Sequence, residues 1–235
     1  MTTSTAVVTG AGSGIGAALA RALRPRVERL VLVDIHLERL SAIAHELDAV
    51  TAEVDVSDPT AVDSVVDLAG APDYLCLNAG ILSSGLGAPW EVPSGEWERV
   101  MAVNLGGVVN GLRAFVPPML SRAAPCSILI TGSLAGLLAW PGGGPYAASK
   151  HAVTAVAEQA ALALDATNIS VTLLCPALVK TAMSDIGDSA EDVARLAIDA
   201  MDAHRFVVAP PEWSGAIVRR AEQMISEGRP NVPTM

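Results

Sequence analysis

The stretch Ala6-Val7-Val8-Thr9-Gly10-Ala11-Gly12-Ser13-Gly14-Ile15-Gly16 decides the fold. Ala6–Thr9 is a short, largely β-branched apolar run, and Ile15–Leu23 has the length and apolar spacing of a helix. The glycines between them therefore form a strand-to-helix turn. Glycine suits a backbone that bends sharply, and it lets phosphate oxygens reach bare N–H groups at a helix N-terminus. The spacing G-x-G-x-x-G counted from Gly10 fails at Ile15, and no Lys-Ser/Thr pair follows to make a P-loop. What fits is Thr9-Gly10-x-x-x-Gly14-x-Gly16, with Gly10, Ser13, Gly14, Ile15 and Gly16 as candidate cofactor contacts.

Asp34 lies 18 residues beyond Gly16, at the end of the next apolar run. That is close to the ~20 residues expected for a carboxylate that grips an adenosine ribose. It would accept from the 2′- and 3′-hydroxyls and repel a 2′-phosphate. Neither Ser13 nor Ile35 is basic, and His36, the nearest candidate, is ordinarily neutral. This predicts NAD rather than NADP. Asp55 and Val56, ending the third run, are placed to reach an adenine.

Further along, strand-like runs alternate with helix-length segments. Ala6–Thr9, Leu30–Asp34, Ala49–Val56, Tyr74–Asn78, Ser127–Gly132, Ser170–Cys175 and Phe206–Ala209 read as strands covered on both faces. Ile15–Leu23, Leu37–Leu47, Thr60–Ala69, Ser94–Arg122, Tyr146–Ala166, Ala190–Ala203 and Glu212–Glu227 read as helices. Such alternation implies parallel pairing through right-handed crossovers. The expectation is one α/β domain over 1–235: a doubly wound, Rossmann-like parallel sheet with helices on both faces. Residues 1–130 would mainly bind the dinucleotide, and 131–235 would supply catalytic, substrate and oligomer elements.

Composition narrows the function. The 235 residues are 51% hydrophobic and 17% charged, which is not a disordered composition. A chain of this length buries roughly 70–75% of its unfolded surface. Fifteen Lys and Arg against 25 Asp and Glu give a net charge of −10, a poor match for nucleic acid or anionic lipid. No signal-like N-terminal segment is present, and no uninterrupted apolar run reaches the ~20 residues of a membrane span. Cys76, Cys126 and Cys175 sit singly in apolar runs, without metal or disulfide spacing, and read as small buried hydrophobes. His36, His45, His151 and His204 are scattered, so no metal site is expected. A soluble cytoplasmic protein is the expectation.

Tyr146 is one of only two tyrosines, and Lys150 stands four residues on, on the same helical face. A neighbouring ammonium favours phenolate, which suits acid–base work below the reference pKa of about 10. Ser133, 13 residues upstream and just past an apolar strand, can bring its hydroxyl beside the phenol.

With these residues in place, the chain resembles the single-domain short-chain dehydrogenase/reductases from Thr9 to about Thr181. Thr9-Gly10, Gly14 and Gly16 match the dinucleotide turn, and Asn78-Ala79-Gly80 matches the N-A-G segment. Asn104, Ser133, Tyr146 and Lys150 match the catalytic tetrad, and Pro176, Val179 and Thr181 match the segment at the nicotinamide end. Pro176-Ala177 departs from the usual Pro-Gly. The resemblance implies Tyr146 as proton donor and acceptor, Ser133 as hydrogen-bond donor to the reacting oxygen, and Lys150 as ribose ligand and modulator of the phenol. It implies Asn104 as the anchor of a relay water, and homotetramers (or homodimers) built on the two longest helices.

Apolar residues surround the tetrad. Leu82, Leu134, Leu138, Trp140 and Met183 are candidate pocket residues, and no Lys or Arg lies between Pro125 and Ser149 or between Lys180 and Arg195. A secondary alcohol or ketone on an apolar, cyclic, steroid- or terpenoid-like skeleton is the expected substrate. The competing readings are a non-catalytic NAD-binding regulatory module and a 3-oxoacyl reductase of fatty-acid or polyketide synthesis. The intact tetrad weighs against the first, and the net charge of −10 weighs against an acidic carrier-protein partner.

Overall fold

The computed structural model describes residues 4–85, 87–122, 124–180, 186–226, 230 and 232–235. Strands β1 (Thr5–Thr9), β2 (Arg29–Asp34), β3 (Val50–Glu53), β4 (Tyr74–Leu77), β5 (Cys126–Thr131) and β6 (Ile169–Leu174) follow the expected apolar runs. A small parallel pair, β7 (Val179–Lys180) and β8 (Asp188–Ser189), lies outside the main sheet, and β9 (Val207–Val208) closes it. The sheet order is β3-β2-β1-β4-β5-β6-β9, with every pairing parallel.

Helices cover both faces. Side chains alternate along each strand, so Val7, Leu75, Leu77, Ile128 and Ile130 enter one core and Ala6, Val8, Cys76 and Leu129 the other. The first core is closed by α3 (Pro59–Ala69), α5 (Gly107–Leu120) and α6 (Gly144–Leu164). The second is closed by α1 (Gly14–Leu23), α2 (Leu37–Leu47) and α7 (Ala190–Asp202). Two elements remain: α4 (Ser94–Met101), and α8 (Ser214–Ile225) behind a 3₁₀ turn at Pro211–Trp213.

Sequence reasoning expects one unbroken helix over Ser94–Arg122, and here the structure differs. α4 and α5 are joined by a π turn at Ala102–Gly106, and the helix stops at Leu120. The π turn carries Asn104 inward, where its amide is bonded to the backbone of Ile81. The neighbouring glycine has an internal reason: a Cβ on Gly107 would stand 2.7 Å from Val56 Cγ2. Ser94–Leu120 is long and apolar enough to cross a membrane by length and composition, yet Val100, Asn104, Val108, Phe115 and Met119 are buried in the fold.

Phe115 is 1% exposed at the centre of the α3/α5/α6 core. Phe115→Ala is expected to cost about 3–5 kcal/mol, lowering the melting temperature by roughly 6–20 °C for a domain of this size. A thermal melt checks it; a shift under about 3 °C would show that this core can collapse around the void.

Candidate active site

The chain order reverses between β1 and β4, and the crevice at their carboxyl ends is where an open α/β sheet takes its ligand. A hydrogen-bonded seam fixes its floor. Thr9 Oγ1 accepts from the Asn78 and Ala79 N–H groups at 2.9 and 3.0 Å. Asn78 Nδ2 donates to the Thr9 carbonyl at 3.1 Å, and Thr131 Oγ1 donates to Asn78 Oδ1 at 3.0 Å. Three strand ends are thereby tied together.

The glycines are required by space. Gly10 has φ +66°, and its Cβ would lie 2.9 Å from Ala79 Cα; a Cβ on Gly16 would lie 2.0 Å from the Gly10 carbonyl oxygen. Helix α1 thus sits directly on the turn. Ser13 is its N-cap in extended conformation, makes no capping bond with its side chain, and no acidic residue follows in the first turn. The N–H groups of Gly14, Ile15 and Gly16 at the positive end of the helix are therefore suited to a pyrophosphate. Asp34 Oδ2 accepts from Gly12 N at 2.9 Å and Oδ1 from His36 N at 3.0 Å. A carboxylate has about four acceptor sites, so capacity is left for two ribose hydroxyls. These residues fit a dinucleotide.

One basic residue near this corner escapes sequence reasoning. Arg39 on α2 comes within 3.2 Å, at its Cβ, of where a Gly12 side chain would begin. Its distance from Asp34 along the chain hides it, although helix periodicity after Asp34 could have found it. Asp55 is exposed and accepts from the N–H and hydroxyl of Ser57, while Val56 is buried and its carbonyl accepts from Asn110.

Ser133, Tyr146 and Lys150 meet where β5 ends and α6 begins. Ser133 caps a short 3₁₀ turn, its Oγ accepting from Ala135 N at 3.1 Å. Burial raises the Tyr146 phenol above its ordinary value, and the Ser133 side chain opposes the rise. The expectation that Lys150 draws the phenol down is not met within this chain. Lys150 is itself 4% exposed, its Nζ donates to the Thr131 carbonyl at 2.9 Å, and burial lowers it to about 8. Nζ lies 5.8 Å from the Tyr146 ring centroid. With one of its three donors committed, the ammonium has two for a ribose.

Asn104 is fully buried, but its side chain is engaged. Nδ2 donates to the Ile81 carbonyl and to Ser149 Oγ, each at 3.0 Å, and Oδ1 accepts from Ile81 N at 2.8 Å. Both amide hydrogens are used, so this side chain has no donor for a relay water. Ser149, missed by sequence reasoning, donates to the Tyr146 carbonyl at 2.7 Å and so links Asn104 to the first turn of the catalytic helix. The signal was its place beside Lys150. Gly80 opens onto both groups: its Cβ would lie 3.2 Å from Asn104 Oδ1 and 3.4 Å from Lys150 Nζ.

On the substrate side, Trp140 is 41% exposed and meets the Tyr146 ring edge-on at 6.1 Å. Leu82 is half-buried. Leu134 and Leu138 differ from the expectation of an open wall: both are buried against Ala216 of α8, with Trp213, Ile217 and Ala177 around them. They are apolar, and a helix from the C-terminal region already covers them. Pro176 accepts from Leu134 N, and Val179 packs its side chain into the α7 core, leaving only its backbone to face a cofactor. Thr181 and Met183 lie outside the described residues.

A family model described as short chain dehydrogenase matches residues 4–191. A 1-deoxy-11-beta-hydroxypentalenate dehydrogenase of Streptomyces exfoliatus is 38% identical over 225 residues, covering 87% of this chain and 82% of that one. A 3-alpha-(or 20-beta)-hydroxysteroid dehydrogenase of Mycobacterium tuberculosis is 38% identical over 186 residues, covering 77% and 70%. The crystal structure of a short chain dehydrogenase/reductase from Burkholderia phymatum in complex with NAD superposes with a TM-score of 0.93. It is 30% identical and covers 99% of this chain and 98% of its own.

The buried lysine makes a testable contribution to stability. Its folded value of about 8 lies below the ordinary 10.5, so between those pH values the unfolded chain binds the extra proton and stability rises with pH. Below pH 8 the buried cation costs its full amount. Denaturant unfolding at a series of pH values should show a gain between about pH 8 and 10.5 in the wild type that is missing in Lys150→Met. Parallel curves for the two proteins would contradict the assigned burial.

Proposed function

The chain belongs to the short-chain dehydrogenases, and on that premise we propose an NAD(H)-dependent enzyme that interconverts a secondary alcohol and a ketone on an apolar, cyclic skeleton. One observation carries the reading: the buried Lys150 ammonium, anchored on the Thr131 carbonyl, stands one helical turn from the Tyr146 phenol, with the Ser133 side chain close enough to act on that phenol. When bound, the nicotinamide supplies or accepts the hydride.

This chain's own groups handle the proton and the charge. Tyr146 donates its proton to the carbonyl oxygen during reduction and recovers it during oxidation. Ser133 Oγ accepts from Ala135 N, so its single O–H is available to the substrate oxygen, where it stabilises the developing charge. Lys150, anchored by the Thr131 carbonyl, presents its remaining N–H groups to the ribose. We assign Asn104 a positioning role: through Ile81 and Ser149 it holds the N-A-G segment and the Tyr146 turn in register.

Asp34 supports the preference for NAD, because a 2′-phosphate would meet a carboxylate already held by two backbone N–H groups. Arg39 beside it offers a partial counterweight, so the preference is finite. Trp140 edge-on to the phenol, with the Leu134–Leu138–Ile217 cluster behind it, supports a cyclic apolar body. The relatives named for a hydroxypentalenate and for hydroxysteroids point the same way.

Three outcomes are expected. Tyr146→Phe lowers kcat by about 10²–10⁴-fold with NAD affinity nearly kept; near-normal turnover would remove Tyr146 as the proton donor. Because the phenol titrates above its ordinary value, it stays protonated through neutral pH. Ketone reduction should hold there and fall only in alkali, while alcohol oxidation rises with pH; initial-rate profiles in both directions check this. In kcat/KM, wild type should favour NAD over NADP, and Asp34→Ala with Ile35→Arg should shift the ratio toward NADP.

A further inference from the structure

Residues 81–84, which follow the N-A-G segment, belong to no strand or helix, so their backbone groups need partners from elsewhere. One helical run supplies them. Asn104 on the π turn holds Ile81 at both its N–H and its carbonyl, at 2.8 and 3.0 Å. Arg99 Nη2 donates to the Leu82 carbonyl at 3.3 Å. Glu96 Oε2 accepts from Ser84 N at 2.8 Å and from the Ser83 hydroxyl, shared with the Gly85 carbonyl, at 3.2 Å. Each of the four residues is thus tied to α4 or to the π turn behind it.

Glu96 and Arg99 are themselves joined as a fork. Arg99 Nε donates to Oε1 and Nη2 to Oε2, each at 3.0 Å, a bidentate pairing that fixes orientation as well as distance. The guanidinium and the Ser84 N–H hold the Glu96 carboxyl down at about 2, so it remains a charged acceptor well below neutral pH. The two residues, three apart, share a helix face. Asn104, eight residues from Glu96, would stand about 80° round an unbroken α-helix. The π turn takes up more residues per turn and swings Asn104 back toward that face.

The clamped residues run between the two neighbours of the Tyr146 ring. At their start, a Cβ on Gly80 would lie 3.4 Å from Lys150 Nζ. Three residues past Ser84, Gly87 N donates to the Gly142 carbonyl at 3.1 Å, in the turn between Trp140 and Tyr146. Lys150 Nζ and the Trp140 ring stand 5.8 and 6.1 Å from the Tyr146 ring. Ile81 and Leu82 are half-buried, yet among the described residues neither packs into any of the apolar clusters.

We propose that Glu96 and Arg99 are positioning residues for substrate specificity: with Asn104 they hold residues 81–84 so that Ile81 and Leu82 form a fixed apolar wall beside Tyr146 for a polycyclic substrate. This rests on the function proposed above and deepens it, because the wall is set by an ion pair and not by core packing. Apolar side chains outside any core gain when ring carbons cover them, and a wall held from behind loses little freedom in doing so.

The test uses the full chain with NAD⁺ and two alcohols, a 3-hydroxysteroid, whose rings can lie along the wall, and cyclohexanol, whose single ring covers little of it. E96A should raise the steroid KM about tenfold more than the cyclohexanol KM, near the lower end of what one buried leucine side chain is worth, with steroid kcat changing far less. E96Q keeps an acceptor for Ser84 N but not the charge, and should recover part of the steroid KM. An unchanged steroid KM in E96A overturns the proposal. So does an equal rise for both alcohols, or a loss that falls on kcat, since either marks a merely structural role. If E96A does not fold, R99Q gives the same comparison. If wild type oxidises neither alcohol, the alcohol–ketone reading fails for these skeletons. Calorimetry then decides the wall by itself: it stands only if the steroid binds the NAD⁺ complex of wild type more tightly than that of E96A, with NAD⁺ affinity equal, and it falls otherwise.

Discussion

A lysine ammonium held at 4% exposure, with one backbone carbonyl at 2.9 Å as its hydrogen-bond partner in the chain, shapes what lies around it. Lowering its pKa from 10.5 to about 8 corresponds to about 3 kcal/mol against the charged form. Backbone must come close to reach that depth. Gly80 leaves room beside Nζ, and a Cβ on Gly136 would lie only 2.4 Å from the Lys150 carbonyl oxygen. The loop that carries Ser133 is therefore laid directly on the helix that carries Tyr146 and Lys150. Its neighbours, Asn104 and Ser149, are buried and mutually hydrogen-bonded. A partly satisfied polar cluster at this depth would be costly, so the whole arrangement forms together.

The same burial changes how the Tyr146 phenol is tuned. An ammonium beside a tyrosine would lower the phenol's pKa in water, and sequence spacing suggests that effect. Inside the fold, desolvation acts on both groups: the phenol rises above its ordinary value while the ammonium falls to about 8. The group that opposes the rise is Ser133, through its hydroxyl. Proton affinity consequently rests with the tyrosine, the state a proton donor needs before a carbonyl is reduced.

Much of this was legible in the sequence because it depends on local backbone demands. Gly10, Gly14 and Gly16 announce a turn that must be bare, Asp34 follows at the distance one helix and one strand require, and seven apolar runs give the seven strands of the parallel sheet. Ser133, Tyr146 and Lys150 stood out through their spacing taken with the glycine turn upstream and the family resemblance. The π turn at Asn104 could not, because it arises from a bond to Ile81, 23 residues away. Arg39 was hidden by the turn of α2, and the burial of Leu134 and Leu138 by a helix that begins 80 residues after Leu134. These features are tertiary, and periodicity does not encode them.

That division has a consequence for how the two halves of the site can vary. The dinucleotide side is built from backbone: a glycine turn packed at 2.0 Å tolerance, an uncapped helix N-terminus and a carboxylate held by two N–H groups. Few substitutions there leave the geometry intact. Beside Ser133, Leu134 and Leu138 are covered by α8, an amphipathic helix whose inner face packs through Ala216 and whose outer turns are exposed. The hydrogen bonds of the seam from Thr9 to Thr131 involve no residue of α8. The sheet therefore fixes the seam, while a helix at its edge can vary without disturbing it.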